Sequence, residues 1–149
     1  MKKYNLDRFI KAQKRDYETA LNEIRRGYKR SHWIWYIFPQ IAGLGFSPTS
    51  QYYSIASIKE AEAYMENAYL RAHLIEISEA LLTLDSRDPE QVMGHPDDLK
   101  LKSSMTLFAE AATEETVFQA VLDKYFGGEK DQRTLDILTA MRGAKVQNP

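Results

Sequence analysis

Apolar residues recur along this chain at the spacing of an α-helix, and no segment alternates as a β-strand would. In a first set, apolar residues have spacings of three, four and seven positions, which places their side chains in a stripe on one helix face. This stripe consists of Leu6, Phe9, Ile10, Tyr17, Leu21 and Ile24. A second stripe follows the same rule: Leu70, Leu74, Ile77, Leu81 and Leu84. Because no period-two run of β-branched residues occurs between turn signals, the sequence predicts an all-α protein with little or no β structure.

Helix start signals divide the chain into about six or seven helices. Ser47-Pro48 places a capping residue before a proline, and Ser57 with Glu60 has the spacing of a capping box. Asp88-Pro89 repeats the cap-proline pair before what we expect to be a short turn. Further starts are expected at three places: residues 95–98, Thr113 and Asp131. We therefore predict one compact multihelical domain over residues 1–142 and a flexible tail over 143–149.

Composition limits the class of protein further. A length of 149 residues predicts a single domain, and the absence of cysteine excludes disulfides, thiolate metal sites and a cysteine nucleophile within this sequence. The longest apolar run, residues 33–38, is too short to cross a bilayer, and no secretory signal pattern occurs. We therefore expect a soluble, cytoplasmic protein that does not associate with a membrane.

The net charge of −1 hides a basic N-terminal region. Residues 1–30 hold ten Lys and Arg against four Asp and Glu. A basic region can bind nucleic acid through its phosphates, or it can pack beside acidic helices of the same chain. The sequence disfavours nucleic acid as a partner, because the isoelectric point is about 6.3 rather than above about 9.

The first candidate site is the stretch in which basic residues meet both tryptophans. Arg30 can pair with a phosphate or carboxylate, and Ser31 and His32 can form hydrogen bonds. His32 can also exchange a proton near neutral pH, while Trp33 or Trp35 can stack on a ring. The other interpretation is that the tryptophans belong to the core and that Arg30 pairs with an acidic helix.

The second candidate site follows the helix start at residues 95–98. Backbone amides at a helix N-terminus favour binding of anions. Side chains with ammonium or hydroxyl groups come directly after this start: Lys100, Lys102, Ser103 and Ser104. We expect this segment to lie near Arg30 and His32, with His32 or Asp98 as a catalytic acid or base. The alternative is a solvated helical turn that Asp97 or Asp98 caps without a ligand.

Neither a metal nor a cofactor is predicted. Of the three histidines, only His73 lies inside a predicted helix with an acidic residue, Glu76, at ligand spacing, and one such pair is weak evidence for a metal site. The pair Gly127-Gly128 is typical of a helix end, since no phosphate-loop lysine follows it.

Three ordered motifs resemble those of one family. The first covers residues 30–35, 38–40 and 43–45; the second covers 96–100 and 103–108; the third covers 126–128. Together they are similar to the bacterial domain of unknown function 1810, over roughly residues 5–140. The resemblance implies a mainly helical single-domain protein and no established activity.

Two functions follow from these patterns. The first is binding of an anionic small molecule, such as a nucleotide or phosphorylated sugar, with or without catalysis. The second is a non-enzymatic interaction domain that docks a partner protein on the aromatic segment, residues 33–38. A concave pocket lined by the first two motifs favours binding of a small molecule. Buried tryptophans without a pocket, or a flat exposed apolar patch, favour docking.

Overall fold

The structure is a computed structural model that describes the backbone of residues 4–147 and the side chains of residues 4–143. Within this range the chain forms nine helices: α1 (Asp7–Arg25), α2 (Ile34–Ile37), α3 (Pro48–Tyr52), α4 (Ile58–Glu66), α5 (Ala68–Leu82), α6 (Pro89–Met93), α7 (Asp97–Ala111), α8 (Val117–Phe126) and α9 (Gln132–Gln147). The only β pairing in the described part is an isolated parallel bridge between Ile41 and Ile55. The predicted all-α class is confirmed.

The predicted helix count of six or seven is wrong, because α2 and α6 are too short to show a periodic stripe. Helix α2 is a single turn inside the apolar run, and α6 occupies the place of the expected turn after Asp88. The Asp88 carboxylate nevertheless acts as the predicted cap, since it accepts a hydrogen bond from the Glu90 amide at 3.0 Å. The predicted start at Thr113 is also wrong, because a turn intervenes and α8 begins at Val117.

Three other predicted start signals act through their side chains. The Ser47 hydroxyl accepts from the Ser50 amide at 3.1 Å, and the Ser57 hydroxyl accepts from the Glu60 amide at 3.3 Å. In a capping box the Glu60 carboxylate would accept from the Ser57 amide. It accepts from the Ala56 amide at 2.7 Å instead, which departs from the prediction. Asp131 caps α9 by accepting from the Thr134 amide at 3.1 Å.

Both predicted stripes lie in the core. Phe9, Tyr17, Leu21 and Ile24 of α1 are buried, as are Leu70, Leu74, Ile77 and Leu81 of α5. Helix α1 packs on α5, α5 on α8, and α8 on α7. Helix α7 is central, because it also contacts α2, α4, α6 and α9. The start of α7 is therefore held in position by most of the molecule.

The aromatic segment lies mostly inside the protein. Five of its residues are buried: Trp33, Ile34, Tyr36, Ile37 and Phe38. Trp35 is half-buried and lies at the surface. Because α2 is one turn long, neighbouring side chains point in different directions, and the two tryptophans have different environments.

The described residues include no helix that combines the length and the apolar character needed to span a bilayer. The predicted flexible tail, residues 143–149, overlaps the end of α9. Its last two residues lie outside the described part, and its flexibility stays a prediction.

Candidate ligand-binding cleft

A cleft of about 480 Å³ lies where segments distant in sequence meet. Its walls come from α2 and the loop after it, from α3 and the residues that follow, and from the starts of α7 and α9. The first two sequence motifs both contribute to it. It thus meets the condition that favours a small-molecule site over a docking surface.

One wall of the cleft carries three cations, two of which form ion pairs. The Lys100 ammonium is 3.6 Å from an Asp97 oxygen and lies 5.4 Å from the centre of the Trp35 ring. Lys102 pairs with Glu129, whose side chain is 74% exposed. Arg133 forms no ion pair with any residue in the described part. Arg133 is exposed and, among the described residues, unpaired, so an entering anion can bind it without breaking an ion pair.

Apolar and aromatic side chains also line the cleft. Trp35 and Tyr53 are half-buried in it, while Phe46 is 82% exposed and Leu99 is 51% exposed. The Trp35 ring lies beside the cations, since its centre is 5.4 Å from the Lys100 ammonium. Such a surface suits a flat or apolar group that is attached to an anion.

Local contacts hold the wall that α3 and its flanking residues form. Backbone hydrogen bonds of 2.8 Å join Ala42 to Ile55 and Ile55 to Gln40. Arg8 of α1 donates to the Tyr52 carbonyl at 2.9 Å and to the Ser54 carbonyl at 2.8 Å. Arg8 itself pairs with Glu60 at 3.0 Å, and both side chains are almost completely buried. The wall is therefore anchored to α1 and α4.

Gly45 allows the loop to approach α3 closely. A Cβ atom at this position would lie 2.6 Å from the Ser50 oxygen and 2.8 Å from its Cβ. Both distances are shorter than van der Waals contact, so only glycine fits without a shift of the loop.

Asp131 joins α9 to α7 at the edge of the cleft. Its Oδ2 accepts from the Ser103 hydroxyl at 3.0 Å, the Thr134 amide at 3.1 Å and the Thr134 hydroxyl at 2.5 Å. The Asp131 amide donates to the Thr106 hydroxyl at 2.8 Å. Within the described part of the chain, Oδ1 of Asp131 accepts no hydrogen bond.

The cleft brings together four of the residues predicted to bind a ligand. These are Trp35, Lys100, Lys102 and Ser103. Five others do not line it: Arg30, Ser31, His32, Trp33 and Ser104. The two candidate acid-base residues, His32 and Asp98, do not line it either. The arginine and histidine of the first motif are exposed elsewhere on the surface.

Four of the predicted residues that do not line the cleft form one turn, which the buried carboxylate of Glu23 stabilises. They are Arg30, Ser31, His32 and Trp33. Oε1 of Glu23 accepts from the amides of Arg30 at 2.8 Å and Ser31 at 3.0 Å, and from the Trp33 indole at 2.9 Å. Oε2 accepts from the Ser31 hydroxyl at 2.5 Å. Burial alone would raise the pKa of Glu23, but these hydrogen bonds outweigh it and lower the pKa to about 2. Trp33 and Ser31 thus serve the fold. The structural interpretation of the motif, which placed both tryptophans in the core, is right for Trp33 and wrong for Trp35.

The first motif meets α7 through a residue beside it, Lys29. The Lys29 ammonium is 2.7 Å from Asp97 and 2.5 Å from the Ser31 carbonyl, and it lies 4.8 Å from the centre of the Trp33 ring. Since Asp97 also approaches Lys100, one carboxylate links the Glu23 turn to the cationic wall.

The remaining predicted residues have structural surroundings. Asp98 is buried, and its carboxylate lies 2.9 Å from Nδ1 of His95. Ser104 is completely buried, and its hydroxyl is the one side-chain polar atom in the described part that is both buried and unpartnered. Neither faces the cleft.

The His73 ring takes part in helix packing. It stacks on Tyr17 with ring centres 3.6 Å apart, and its Nδ1 lies 2.9 Å from Oε1 of Gln13. Burial lowers the pKa of His73, with the Glu76 charge acting in the opposite direction. No group of three potential metal ligands occurs among the described residues. The absence of a metal or cofactor stays a prediction.

Sequence reasoning did not identify several residues that line the cleft: Gln40, Phe46, Tyr53, Asp131 and Arg133. Gln40 lies in the first motif, and Asp131 was identified only as a helix cap. The Gln40 amide and the Tyr53 hydroxyl have no hydrogen-bond partner among the described residues. Phe46 and Arg133 carry no sequence signal, because their place in the cleft depends on contacts between distant segments.

A family model described as protein of unknown function (DUF1810) matches residues 3–138. The chain belongs to the DUF1810 family. This membership confirms the resemblance of the three motifs, and the match includes every residue that lines the cleft. No curated protein matches the chain.

This DUF1810 protein is also similar to a solved structure from Mycobacterium tuberculosis, described as the conserved hypothetical protein Rv1873. The two chains are 44% identical and superpose with a TM-score of 0.89. The similarity covers 91% of this chain and 97% of the other chain. The likeness therefore extends over nearly the whole fold, and neither description names an activity.

Proposed function

We propose that the cleft binds a small anionic molecule that also carries a flat or apolar group, as nucleotides and many sugar phosphates do. The observation that carries this proposal is the convergence of Lys100, Lys102 and Arg133 beside Trp35 in one concave site. Guanidinium and ammonium groups recognise phosphate, and an indole supplies a stacking surface. We assign no reaction to the cleft, and a cytoplasmic location stays a prediction.

Docking of a partner protein on the aromatic segment has less support. Five of the six residues in that segment are buried, and Trp35 contributes to a concave surface rather than a flat one. A docking surface would need large side chains that a partner can reach.

The test is a binding assay on the purified chain with AMP, glucose 6-phosphate and phenyl phosphate, and with adenosine as the uncharged comparison. We expect the phosphate esters to raise the melting temperature, because a ligand of the folded state stabilises it by mass action. Calorimetry should show at least tenfold weaker binding in the Lys100→Met, Lys102→Met double variant. Adenosine should bind much more weakly than AMP.

Lys59→Met is the matched control, because Lys59 is exposed on α4, outside the cleft, and makes no ion pair within the described part. It should bind the esters as the wild type does. Ser103→Ala should weaken binding, whereas Ser104→Ala should not, because the Ser104 hydroxyl is completely buried. Failure of all three esters to bind, or an equal loss in Lys59→Met, would contradict the proposal.

A further inference from the structure

We propose that Asp131 selects ligands with hydroxyl groups, so that the cleft takes a phosphate ester of a sugar rather than an aromatic phosphate without hydroxyls. This inference rests on the proposed anion binding. Among the described residues, Asp131 is the one carboxylate that lines the cleft, and the inference gives it a role beyond its cap on α9.

The two oxygens of Asp131 have different surroundings. Oδ2 accepts three hydrogen bonds from Ser103 and Thr134, which fix the carboxylate in one orientation. Oδ1 accepts none within the described part of the chain. An ionised carboxylate can only accept, so the group that satisfies Oδ1 must be a donor. A hydroxyl of the ligand is such a donor, and a phosphate oxygen is not.

The charges in the cleft lead to the same conclusion. Asp131 forms no ion pair with any described residue, although Lys102 and Arg133 line the same cleft. A carboxylate that is not neutralised repels an anion, so it weakens binding of a bare phosphate. It favours binding only where the ligand presents a neutral donor to Asp131 and its anionic group to the cations. A sugar phosphate has this division between hydroxyls and a charged end.

Two other polar groups of the cleft suit a ligand with hydroxyls. The Gln40 amide and the Tyr53 hydroxyl line the cleft without partners among the described residues. A sugar hydroxyl both donates and accepts, so it can bind a carboxylate and an amide at once. A ligand that enters the cleft takes these groups out of water, and a ligand without hydroxyls would leave them unsatisfied, which is costly.

The test compares AMP with 2′,3′-dideoxyadenosine 5′-phosphate, which keeps the base and the phosphate and lacks both ribose hydroxyls. In the wild-type chain we expect AMP to bind at least tenfold more tightly. In Asp131→Asn this ratio should fall to about twofold or less. The reason is that the three donors around Oδ2 hold the amide oxygen there, which leaves an NH₂ donor in place of Oδ1.

Asp136→Asn is the matched control. Asp136 is exposed on α9 and does not line the cleft, so the change removes a carboxylate of the same helix away from the ligand. It should keep the AMP preference, and an equal loss of that preference in Asp136→Asn would overturn the inference. Asparagine remains a good helix cap, and Asp131→Ser gives a second test should Asp131→Asn not fold.

The outcomes separate the two proposals. A wild-type ratio near one, or a ratio that Asp131→Asn leaves unchanged, overturns the selection by Asp131. If both esters bind equally and the Lys100→Met, Lys102→Met variant weakens both, anion binding stands and this inference alone fails. If neither of these nucleotides binds, and glucose 6-phosphate and phenyl phosphate do not bind either, both proposals fail.

Discussion

At the scale of single residues, Glu23 explains why part of the most conspicuous motif is structural. One buried carboxylate accepts four hydrogen bonds and so orders the turn that leads into α2. An unpaired carboxylate in that position would be costly, and so would an unpaired indole donor. The turn determines the direction in which the chain enters α2, and therefore which tryptophan faces the core.

The contribution of Glu23 to stability should depend on pH. Its pKa is about 2 in the folded state and 4.5 for an ordinary glutamate. A carboxyl group whose pKa is lower in the folded state stabilises that state at pH values above its pKa in the unfolded chain. This stabilisation is lost as the pH falls from about 4.5 towards 2. We expect Glu23→Gln to lower the free energy of unfolding by about 1–3 kcal/mol at pH 7. Much of this difference should disappear by pH 2–3.

The measurement is urea unfolding of both proteins at several pH values. Glu18→Gln is the control, because Glu18 is exposed on the same helix. We expect its free energy of unfolding to stay within about 0.5 kcal/mol of the wild-type value. A Glu23→Gln difference that stays constant from pH 7 to pH 2.5 would contradict the assignment.

At the scale of the elements, the short helices shape the cleft, and long ones support them. Helix α3 begins with a serine cap and a proline at its first turn, which are local signals. Its position in the molecule comes from elsewhere, namely from Arg8 of α1 and from the bridge between Ile41 and Ile55. A helix of five residues has little stability of its own, so these contacts decide where it lies.

Gly45→Ala should therefore disturb the cleft more than the rest of the fold. The new methyl group would lie too close to the Ser50 side chain, so the loop or α3 must shift. We expect at least tenfold weaker binding of AMP, with a loss of about 1–3 kcal/mol in stability. Calorimetry and urea unfolding measure the two effects.

The control for this change is Gly143→Ala, because a Cβ atom there would meet nothing within 4 Å. Alanine is a better helix former than glycine, so this variant should be neutral or slightly more stable, with unchanged binding. Wild-type affinity in Gly45→Ala would show that the loop accommodates the methyl group without moving the wall.

At the scale of the whole molecule, the cleft depends on the core that α1, α5, α7 and α8 form. Its lining residues come from positions 35 to 133, so no local segment contains the site. Helix α7 carries four of them, Leu99, Lys100, Lys102 and Ser103, on the side away from its buried apolar residues. Packing of the core therefore presents these groups to the cleft.

Ile77→Ala should destabilise this core. Ile77 is completely buried on α5, which packs against both α1 and α8. Removing three carbons leaves a cavity, and we expect a loss of about 2–5 kcal/mol in the free energy of unfolding. Glu79→Ala, on the exposed face of the same helix, should change it by less than about 0.5 kcal/mol. Equal free energies of unfolding for the two variants, measured by urea unfolding, would contradict the prediction.

The sequence by itself determined the helical class, the two core stripes and most helix starts. Each depends on residues within a few positions of one another, because helix periodicity and capping are local properties. It also identified Trp35, Lys100, Lys102 and Ser103 as candidates, since their chemistry is visible without a fold. The single-turn helix α2 escaped prediction, because four residues cannot show a period of 3.6.

Only the tertiary structure decided which candidates share a site. Trp33 and Trp35 have the same side chain two positions apart, yet the Glu23 turn buries one and leaves the other in the cleft. Ser103 and Ser104 are adjacent, but a helix turns about 100° per residue, so one lines the cleft and the other faces the core. Asp131 and Arg133 join the site because α9 packs on α7. Such long-range contacts arise from the packing of the whole chain and leave no local pattern.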